Sequence, residues 1–260
     1  MSDTVITDTV ITDTTSTTAS SIVLTEDTGK EFEMAICTVF GIEYQGPYKY
    51  TMGLTDLLRE RLEFIKPLFQ NMKHTAEKGA RYDFTGQDPN DTSKTLHLSA
   101  KTSKKGIGKV APQVLGQAQP QKFCEVIGTE FTDILILKQY IQENITTILP
   151  ILSNHTFDCP NIYFRKDTNS LKYIILEREI DWSKYEYTWT CAHATWNNST
   201  TLKIREKSEE NSEQNNNTIK KYISIVEFQI HSKSRTNMAI RWFYDNVLEI
   251  FADSFRIQNL

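Results

Sequence analysis

The chain has 260 residues, with 29 Lys and Arg against 33 Asp and Glu, and therefore a formal net charge of −4. Its hydrophobic content of 39% and charged content of 24% exclude collagen-like and wholly disordered chains and allow a sizeable core. No apolar run reaches the ~18–20 residues of a membrane span, and no secretory signal is recognisable. We therefore expect a cytoplasmic protein with no membrane partner, and the acidic balance argues at first against a nucleic-acid partner.

The amino-terminal region is of low complexity. The pentamer Asp3–Thr7 is repeated at Asp8–Thr12 and runs on into a Thr/Ser-rich stretch. Polar repeats of this kind cannot bury a core. We predict a disordered extension over residues 1–30, followed by a single domain over residues 31–260 with an exposed polar loop at 206–218.

The rest of the chain alternates between helical and strand-like patterns. The first helix is predicted after Thr55, on an apolar stripe that includes Leu58, Leu62 and Ile65, and it ends near Pro67. Further helices are predicted over Val110–Gln119, over Glu130–Leu149 with Pro150 as its stop, and over Asn237–Phe255. Strands are predicted over Tyr82–Thr85, Thr95–Thr102, Asn161–Arg165, Leu171–Glu177, Tyr185–Thr195, Thr201–Arg205 and Tyr222–His231. This order predicts a mixed α/β or α+β domain whose carboxy-terminal half is rich in strands.

An acidic residue and a lysine stand on the first two predicted strands. Asp83 lies on the first strand, whereas Ser99 and Lys101 lie two positions apart on the second and share one face of it. Metal-dependent cleavage of a phosphodiester needs a carboxylate that holds Mg²⁺ and a cation that orients the attacking water or offsets developing charge. The spacing therefore favours a nuclease site, although so short a pattern also arises by chance.

This segment resembles the PD-(D/E)xK nuclease motif, and the chain resembles type II restriction endonucleases. The resemblance implies a mixed β-sheet flanked by helices, with Asp83 and the Ala100 carbonyl as Mg²⁺ ligands and Lys101 as the catalytic lysine. Ser99 departs from the motif, because it stands where most members carry Glu or Asp. Some of these enzymes recover that carboxylate from a helix, and the alternatives here are Glu60, Glu63 and Glu125.

The surroundings of the motif are basic. Residues 92–124 hold six lysines and no acidic residue, and residues 1–33 alone carry a net charge of −6, which leaves +2 for the remainder of the chain. Such a distribution favours a phosphate backbone as partner, in contrast to the net charge. The candidate DNA contacts in this stretch are Lys104, Lys105, Lys109 and Gln117. The alternative interpretation is a solvated, lysine-rich loop.

A second candidate segment covers residues 225–242. It reads as a strand, a basic turn and a helix, and it resembles carboxy-terminal segments of several restriction endonucleases. That resemblance makes five residues candidate DNA contacts: His231, Lys233, Arg235, Asn237 and Arg241. The alternative is an ordinary capped helix with a basic surface. Glu227 and Gln229 also have the spacing of a variant nuclease motif and form a rival, less favoured site.

These observations predict a Mg²⁺-dependent, site-specific endonuclease that cleaves double-stranded DNA. The family resemblance also implies a homodimer and a cognate DNA methyltransferase in the same cell. The alternative function is a non-catalytic nucleic-acid-binding or protein-interaction domain.

Overall fold

The computed structural model describes residues 25–46, 50–76, 80–104, 106, 108–191, 195–207, 221–231 and 237–260. The helices are α1 (Thr25–Phe40), α2 (Gly53–Glu63), α3 (Pro120–Val126), α4 (Ile134–Glu143), α5 (Ile145–Phe157) and α6 (Tyr244–Ile250). The strands are β1 (Gln70–His74), β2 (Phe84–Asp88), β3 (Asp91–Ser103), β4 (Lys109–Val110), β5 (Asn161–Arg165), β6 (Ser170–Leu176), β7 (Tyr185–Cys191), β8 (Ser199–Glu206), β9 (Ile223–Gln229), β10 (Ala239–Phe243) and β11 (Phe255–Asn259). Within these ranges no helix is long and apolar enough to cross a membrane.

The strands form two sheets. A six-stranded sheet has the order β1-β2-β3-β5-β6-β11, and a five-stranded sheet has the order β4-β10-β9-β8-β7. The pair β3–β5 is parallel, and the chain between these two strands includes α3, α4 and α5. A parallel neighbour needs such a crossover, whereas antiparallel neighbours such as β5 and β6 can be joined by a short turn. The mixed α+β class with a strand-rich carboxy-terminal half is confirmed.

Successive residues of β3 face two different hydrophobic cores. Leu98 is buried in the core formed with α1 and α2, and Ala100 packs against the same core. Ser99, Lys101 and Ser103 alternate with them and lie on the other face, where they are buried too. The larger core on that side joins α4 and α5 to the five-stranded sheet. A polar row of β3 is therefore enclosed between the two sheets.

The Trp242 side chain helps to connect the five-stranded sheet to the central helix α5. Its Nε1 donates a hydrogen bond of 2.8 Å to Thr156 Oγ1, and both residues are fully buried. Nearby, Met238 N donates to Ala118 O at 2.9 Å. The segment that follows β4 is thus held between β10 and α5, which positions it beside β3.

Several predicted elements differ from the observed ones. Residues 110–119 do not form a helix, because Pro112 and Gly116 interrupt it, and β4 and a 3₁₀ turn occupy this segment instead. Pro150 does not end a helix but lies inside α5, and the helical pattern is broken earlier, at Asn144. A proline cannot donate a hydrogen bond to the carbonyl of residue i−4 and its ring clashes with that carbonyl. The helix is therefore disturbed in the turn before the proline.

The predicted helix over residues 237–255 is wrong in its first part. Ile240 and Trp242 are buried and alternate with half-buried neighbours in β10, which pairs with β9, and helix α6 begins only at Tyr244. At the other end of the chain, helix α1 begins at Thr25, within the segment predicted to be disordered. Residues 1–24 and most of the predicted loop at 206–218 lie outside the described residues.

Candidate active site

The Asp83 carboxylate is held by the middle of β3. Its Oδ2 atom accepts hydrogen bonds from Ser99 Oγ at 2.7 Å and from the Ala100 N–H at 2.8 Å. Asp83 lies one residue before β2, where the ladder with β3 begins at the pair Phe84–Leu98. Two donors on one oxygen fix the carboxylate, and Asp83 Oδ1 accepts no hydrogen bond from the described residues. One carboxylate oxygen therefore stays available to a ligand.

The Ala100 carbonyl leaves β3 on the same side as this carboxylate. The Ser99 N–H bonds Pro160 O at 3.0 Å on the β5 side, whereas the Ala100 N–H bonds Asp83 on the opposite side. The N–H and C=O of one strand residue point the same way, so the Ala100 carbonyl also faces that side. The register of β2 and β3 ends at the pair Phe84–Leu98, so Ala100 has no partner in β2 on that side.

Lys101 is the most unusual charged residue of the site. It is only 9% exposed, on the same face of β3 as Ser99, and its side chain makes no hydrogen bond or ion pair with any described residue. A buried charge without a partner is costly, and proteins retain one where its chemistry is used. Within the site, burial raises the pKa of the Cys159 thiol to about 12; Asp158 and Asp83 add to this rise, and Lys101 opposes it.

Gln113 belongs to the site but was not predicted as a site residue. Its Nε2 donates a hydrogen bond to Ser99 Oγ, and its side chain is buried. The contact spans the irregular segment between β4 and α3, so no strand or helix periodicity in the sequence indicates it. Its only local mark in the sequence is a glutamine between two helix-breaking residues, Pro112 and Gly116.

A group of residues that contact one another borders the site on the side of α5. Asp158 Oδ2 accepts from the Tyr82 hydroxyl at 2.5 Å and pairs with Arg81 at 2.9 Å. The Tyr82 ring stacks on His97 with a centroid distance of 3.8 Å. These contacts hold the segment before Asp83 against the end of α5 and so help to place the carboxylate.

His97 gives this border a pH dependence. Burial lowers the pKa of His97; Asp158 opposes this effect and Arg81 adds to it. The unfolded chain therefore binds a proton more readily, so this contribution to stability is complete above the ordinary histidine pKa of about 6.5 and is lost as the pH falls toward the folded pKa. We expect His97→Phe, which keeps a ring on Tyr82, to lose less stability than the wild type between about pH 7 and about pH 5.5. Urea unfolding at the two pH values measures this, and equal losses would contradict it.

The three predicted substitute carboxylates lie away from Ser99. Glu60 and Glu63 are exposed on α2, where Glu63 pairs with Lys66 at 4.0 Å. Glu125 is exposed on α3 and pairs with Lys122 at 3.0 Å. Among the described contacts, none of the three carboxylates bonds a residue of the site. The structure does not bring them to Asp83.

The basic stretch after β2 is partly neutralised in the fold. Lys94 pairs with Asp88 at 3.8 Å, and Lys109 pairs with Glu227 at 3.0 Å. Lys104 is half-buried and Gln117 is exposed, whereas Lys105 lies outside the described residues. The charge counted along the sequence therefore overstates the cationic surface, because acids from other segments lie against it.

The second candidate segment is a pair of strands, not a strand and a helix. Arg241 lies in β10, where it donates to Gln229 Oε1 at 2.7 Å and approaches Glu227 at 3.8 Å. His231 and Asn237 lie on either side of residues 232–236. Lys233 and Arg235 fall in that gap, outside the described residues. Asn237 therefore does not lie at the amino terminus of a helix, and the expectation that a helix amino terminus binds phosphate there no longer applies.

The rival site at Glu227 and Gln229 is held in ion pairs and hydrogen bonds. Both side chains bind cations of neighbouring strands, as described above, and Glu227 is 9% exposed. Glu227 Oε2 also lacks a hydrogen bond among the described residues, but the Glu227 carboxylate is neutralised by Lys109 and Arg241, whereas Asp83 forms no ion pair with a described residue. The geometry favours the Asp83 site.

One curated relative carries the same kind of activity that the motif suggested. The chain is 36% identical over 242 residues to the type II restriction enzyme CviAII of Paramecium bursaria Chlorella virus 1, and the match covers 91% of this chain and 63% of that enzyme. The chain is similar to a type II restriction enzyme. This confirms the resemblance, over a chain that spans less than two thirds of its relative's length. Neither a family model nor a solved structure matches the chain.

The donor atoms of the site suit Mg²⁺. Magnesium prefers oxygen ligands, keeps several waters and is usually bound by one or two carboxylates together with substrate phosphate. Asp83 Oδ1 and the Ala100 carbonyl are oxygen donors of this kind. In the described part of the chain no three His, Cys, Asp or Glu residues are grouped, so a site here has few carboxylates. The residues fit a metal that also depends on water and substrate.

Proposed function

We propose that this protein is a Mg²⁺-dependent endonuclease that cleaves double-stranded DNA at a specific sequence. The observation that carries the proposal is the fixed Asp83 carboxylate together with the buried Lys101, which pairs with no described residue, in a chain that matches a type II restriction enzyme over 91% of its length. A binding domain has no need of a buried lysine without a partner, because the charge costs stability and contacts no surface ligand.

The residues have distinct roles in this proposal. Asp83 and the Ala100 carbonyl would hold Mg²⁺, which polarises the scissile phosphate and makes water a better nucleophile. The Lys101 ammonium orients the attacking water and offsets the negative charge that develops on phosphorus oxygens. Ser99 fixes the Asp83 carboxylate through its hydroxyl and does not itself replace the missing acid.

Incubation with DNA tests this function directly. Unmethylated plasmid incubated with the protein and Mg²⁺ should yield discrete fragments, which EDTA should abolish because it removes the metal. The fragments are resolved on an agarose gel, and their ends give the recognition site. Intact plasmid across a range of salt and Mg²⁺ concentrations would contradict the proposal, as would fragments that persist in EDTA.

The family resemblance extends the proposal beyond the site. Type II restriction enzymes commonly act on palindromic DNA as homodimers and are accompanied by a methyltransferase that protects the host DNA. A homodimer, a cognate methyltransferase, a cytoplasmic location and a single nuclease domain over residues 31–260 stay predictions for this chain. The DNA contacts proposed for Lys104, Lys109, Gln117 and Arg241 stay predictions too.

A further inference from the structure

The Gln113 side chain carries a buried oxygen that the protein leaves unsatisfied. Gln113 is 7% exposed, its Nε2 donates to Ser99 Oγ, and its Oε1 has no hydrogen-bond partner in the described structure. A buried carbonyl oxygen without a partner is energetically costly, because it has lost its hydrogen bond to water. This oxygen belongs to the amide that bonds Ser99, so it lies close to the residue that holds Asp83.

The backbone holds Gln113 in this position. Its N–H donates to His155 O at 2.8 Å, and its carbonyl accepts from the Leu115 N–H at 2.6 Å. The second bond closes a three-residue turn around Val114, which has a φ of 63°. A β-branched residue rarely adopts a positive φ, because its side chain crowds the backbone. The strain is retained where Gln113 meets the site, as is common beside functional residues.

A directed chain of hydrogen bonds connects Gln113 to Asp83. The Ser99 hydroxyl has one proton, which it donates to Asp83 Oδ2 at 2.7 Å, so it accepts from the Gln113 amide. This order assigns the NH₂ group to Ser99 and leaves Oε1 as the unbonded end of the amide. Ser99 therefore positions both an acid and an amide.

A second buried amide oxygen is a weaker candidate. Asn161 pairs with Ser99 in the register of β3 and β5, and its Oδ1 also lacks a partner among the described residues. Its Nδ2, however, donates to Thr156 O and Cys159 O at 2.9 and 3.3 Å and so stabilises the turn between α5 and β5. Of the two amides, only Gln113 bonds the residue that holds Asp83.

We infer that Gln113 Oε1 is a ligand of the metal at Asp83 and takes the place of the carboxylate that the motif lacks at Ser99. The inference rests on the proposed function. An amide oxygen suits Mg²⁺, but it is neutral, so the site has one charge fewer than a site with two carboxylates and binds the free metal more weakly. Substrate phosphate then contributes a large part of the metal's coordination, which couples metal binding to DNA binding.

Binding of Mn²⁺ to the full chain without DNA tests this inference without an activity assay. The signal of free Mn²⁺ in electron paramagnetic resonance measures how much metal is bound. We expect Gln113→Glu to bind Mn²⁺ about tenfold more tightly than the wild type and Gln113→Met to bind it about tenfold more weakly. Gln258→Glu, an exposed change on β11 with the same added charge, is the control and should bind Mn²⁺ as the wild type does. Melting curves followed by circular dichroism identify any variant that has not folded. If one Gln113 variant has not folded, the Mn²⁺ affinity of the other Gln113 variant tests the inference.

The outcomes separate this inference from the function on which it rests. If both folded Gln113 variants bind Mn²⁺ like the wild type while Asp83→Ala loses binding, Gln113 is not a ligand and the Asp83 site stands. If Asp83→Ala binds Mn²⁺ like the wild type, or the wild type binds none, the proposed metal site itself fails.

Discussion

Replacement of Asp83 by Ala is expected to lower the rate of DNA cleavage by at least about 10². The variant loses the one carboxylate that the described site offers to a metal, so the metal no longer polarises the scissile phosphate. DNA affinity should change little, because the duplex is held mainly by contacts to its phosphates elsewhere on the surface. Plasmid cleavage under single-turnover conditions and a gel-shift assay measure the two effects separately.

A neighbouring acid provides the control for this change. Asp88 lies at the end of β2, where it pairs with Lys94 at 3.8 Å and makes no contact with the site. Asp88→Ala removes the same charge from the same strand region and should cleave at the wild-type rate. If Asp83→Ala also cut at that rate, Asp83 would not be a metal ligand and the proposed site would be wrong.

Replacement of Lys101 by Met should abolish cleavage and stabilise the fold at the same time. The cleavage rate is expected to fall by at least about 10², because no ammonium remains to orient water. The free energy of unfolding should rise by roughly 1 kcal/mol, because an apolar chain of similar length replaces a buried charge without a partner. Cleavage assays and urea unfolding test the two halves of this prediction.

Lys138 is the matched control for the stability change. It is 5% exposed, slightly more buried than Lys101, but its ammonium donates to Asn197 O at 2.6 Å. Lys138→Met therefore breaks a hydrogen bond and should give no gain in stability. A Lys101→Met variant that is less stable than the wild type, or that cleaves DNA normally, would contradict the role assigned to this lysine.

Local periodicity predicted the central part of the site well. The alternation through residues 95–102 placed Ser99 and Lys101 on one face of a strand, and β3 has that arrangement. Strand β5 has the predicted bounds as well, because a short apolar run between turn residues has few other conformations. Asp83 was predicted to lie on the preceding strand; it lies one residue before β2 and bonds the Ala100 N–H of β3.

Elements that depend on distant partners were not predictable in the same way. Residues 239–243 fit both a helical and a strand period, and the pairing of β10 with β9 decides for the strand. Gln113 reaches Ser99 through a strained turn, held by the backbone of α5 far along the chain. No local rule connects these segments, so the sequence showed that a carboxylate is missing at Ser99 but not that the Gln113 amide bonds Ser99.

The net charge counted along the sequence differs from the charge that the folded protein presents on its surface. The lysines of residues 92–124 carry +6 along the chain, yet Lys94, Lys109 and Lys122 each pair with an acid from outside that stretch. Lys101 is buried and pairs with no acid among the described residues. The charge summed along this stretch therefore does not describe its surface, because ion pairing and burial alter it.

The most direct test of the account is the position of a bound metal. Crystals of the protein soaked in Mn²⁺ and measured at the manganese absorption edge would locate the ion by its anomalous scattering. We predict a peak between the Asp83 carboxylate and the Ala100 carbonyl, within about 2.0–2.3 Å of an Asp83 oxygen. A folded, Mn²⁺-saturated protein with its peak at Glu227, or with none near Asp83, would contradict the proposed site.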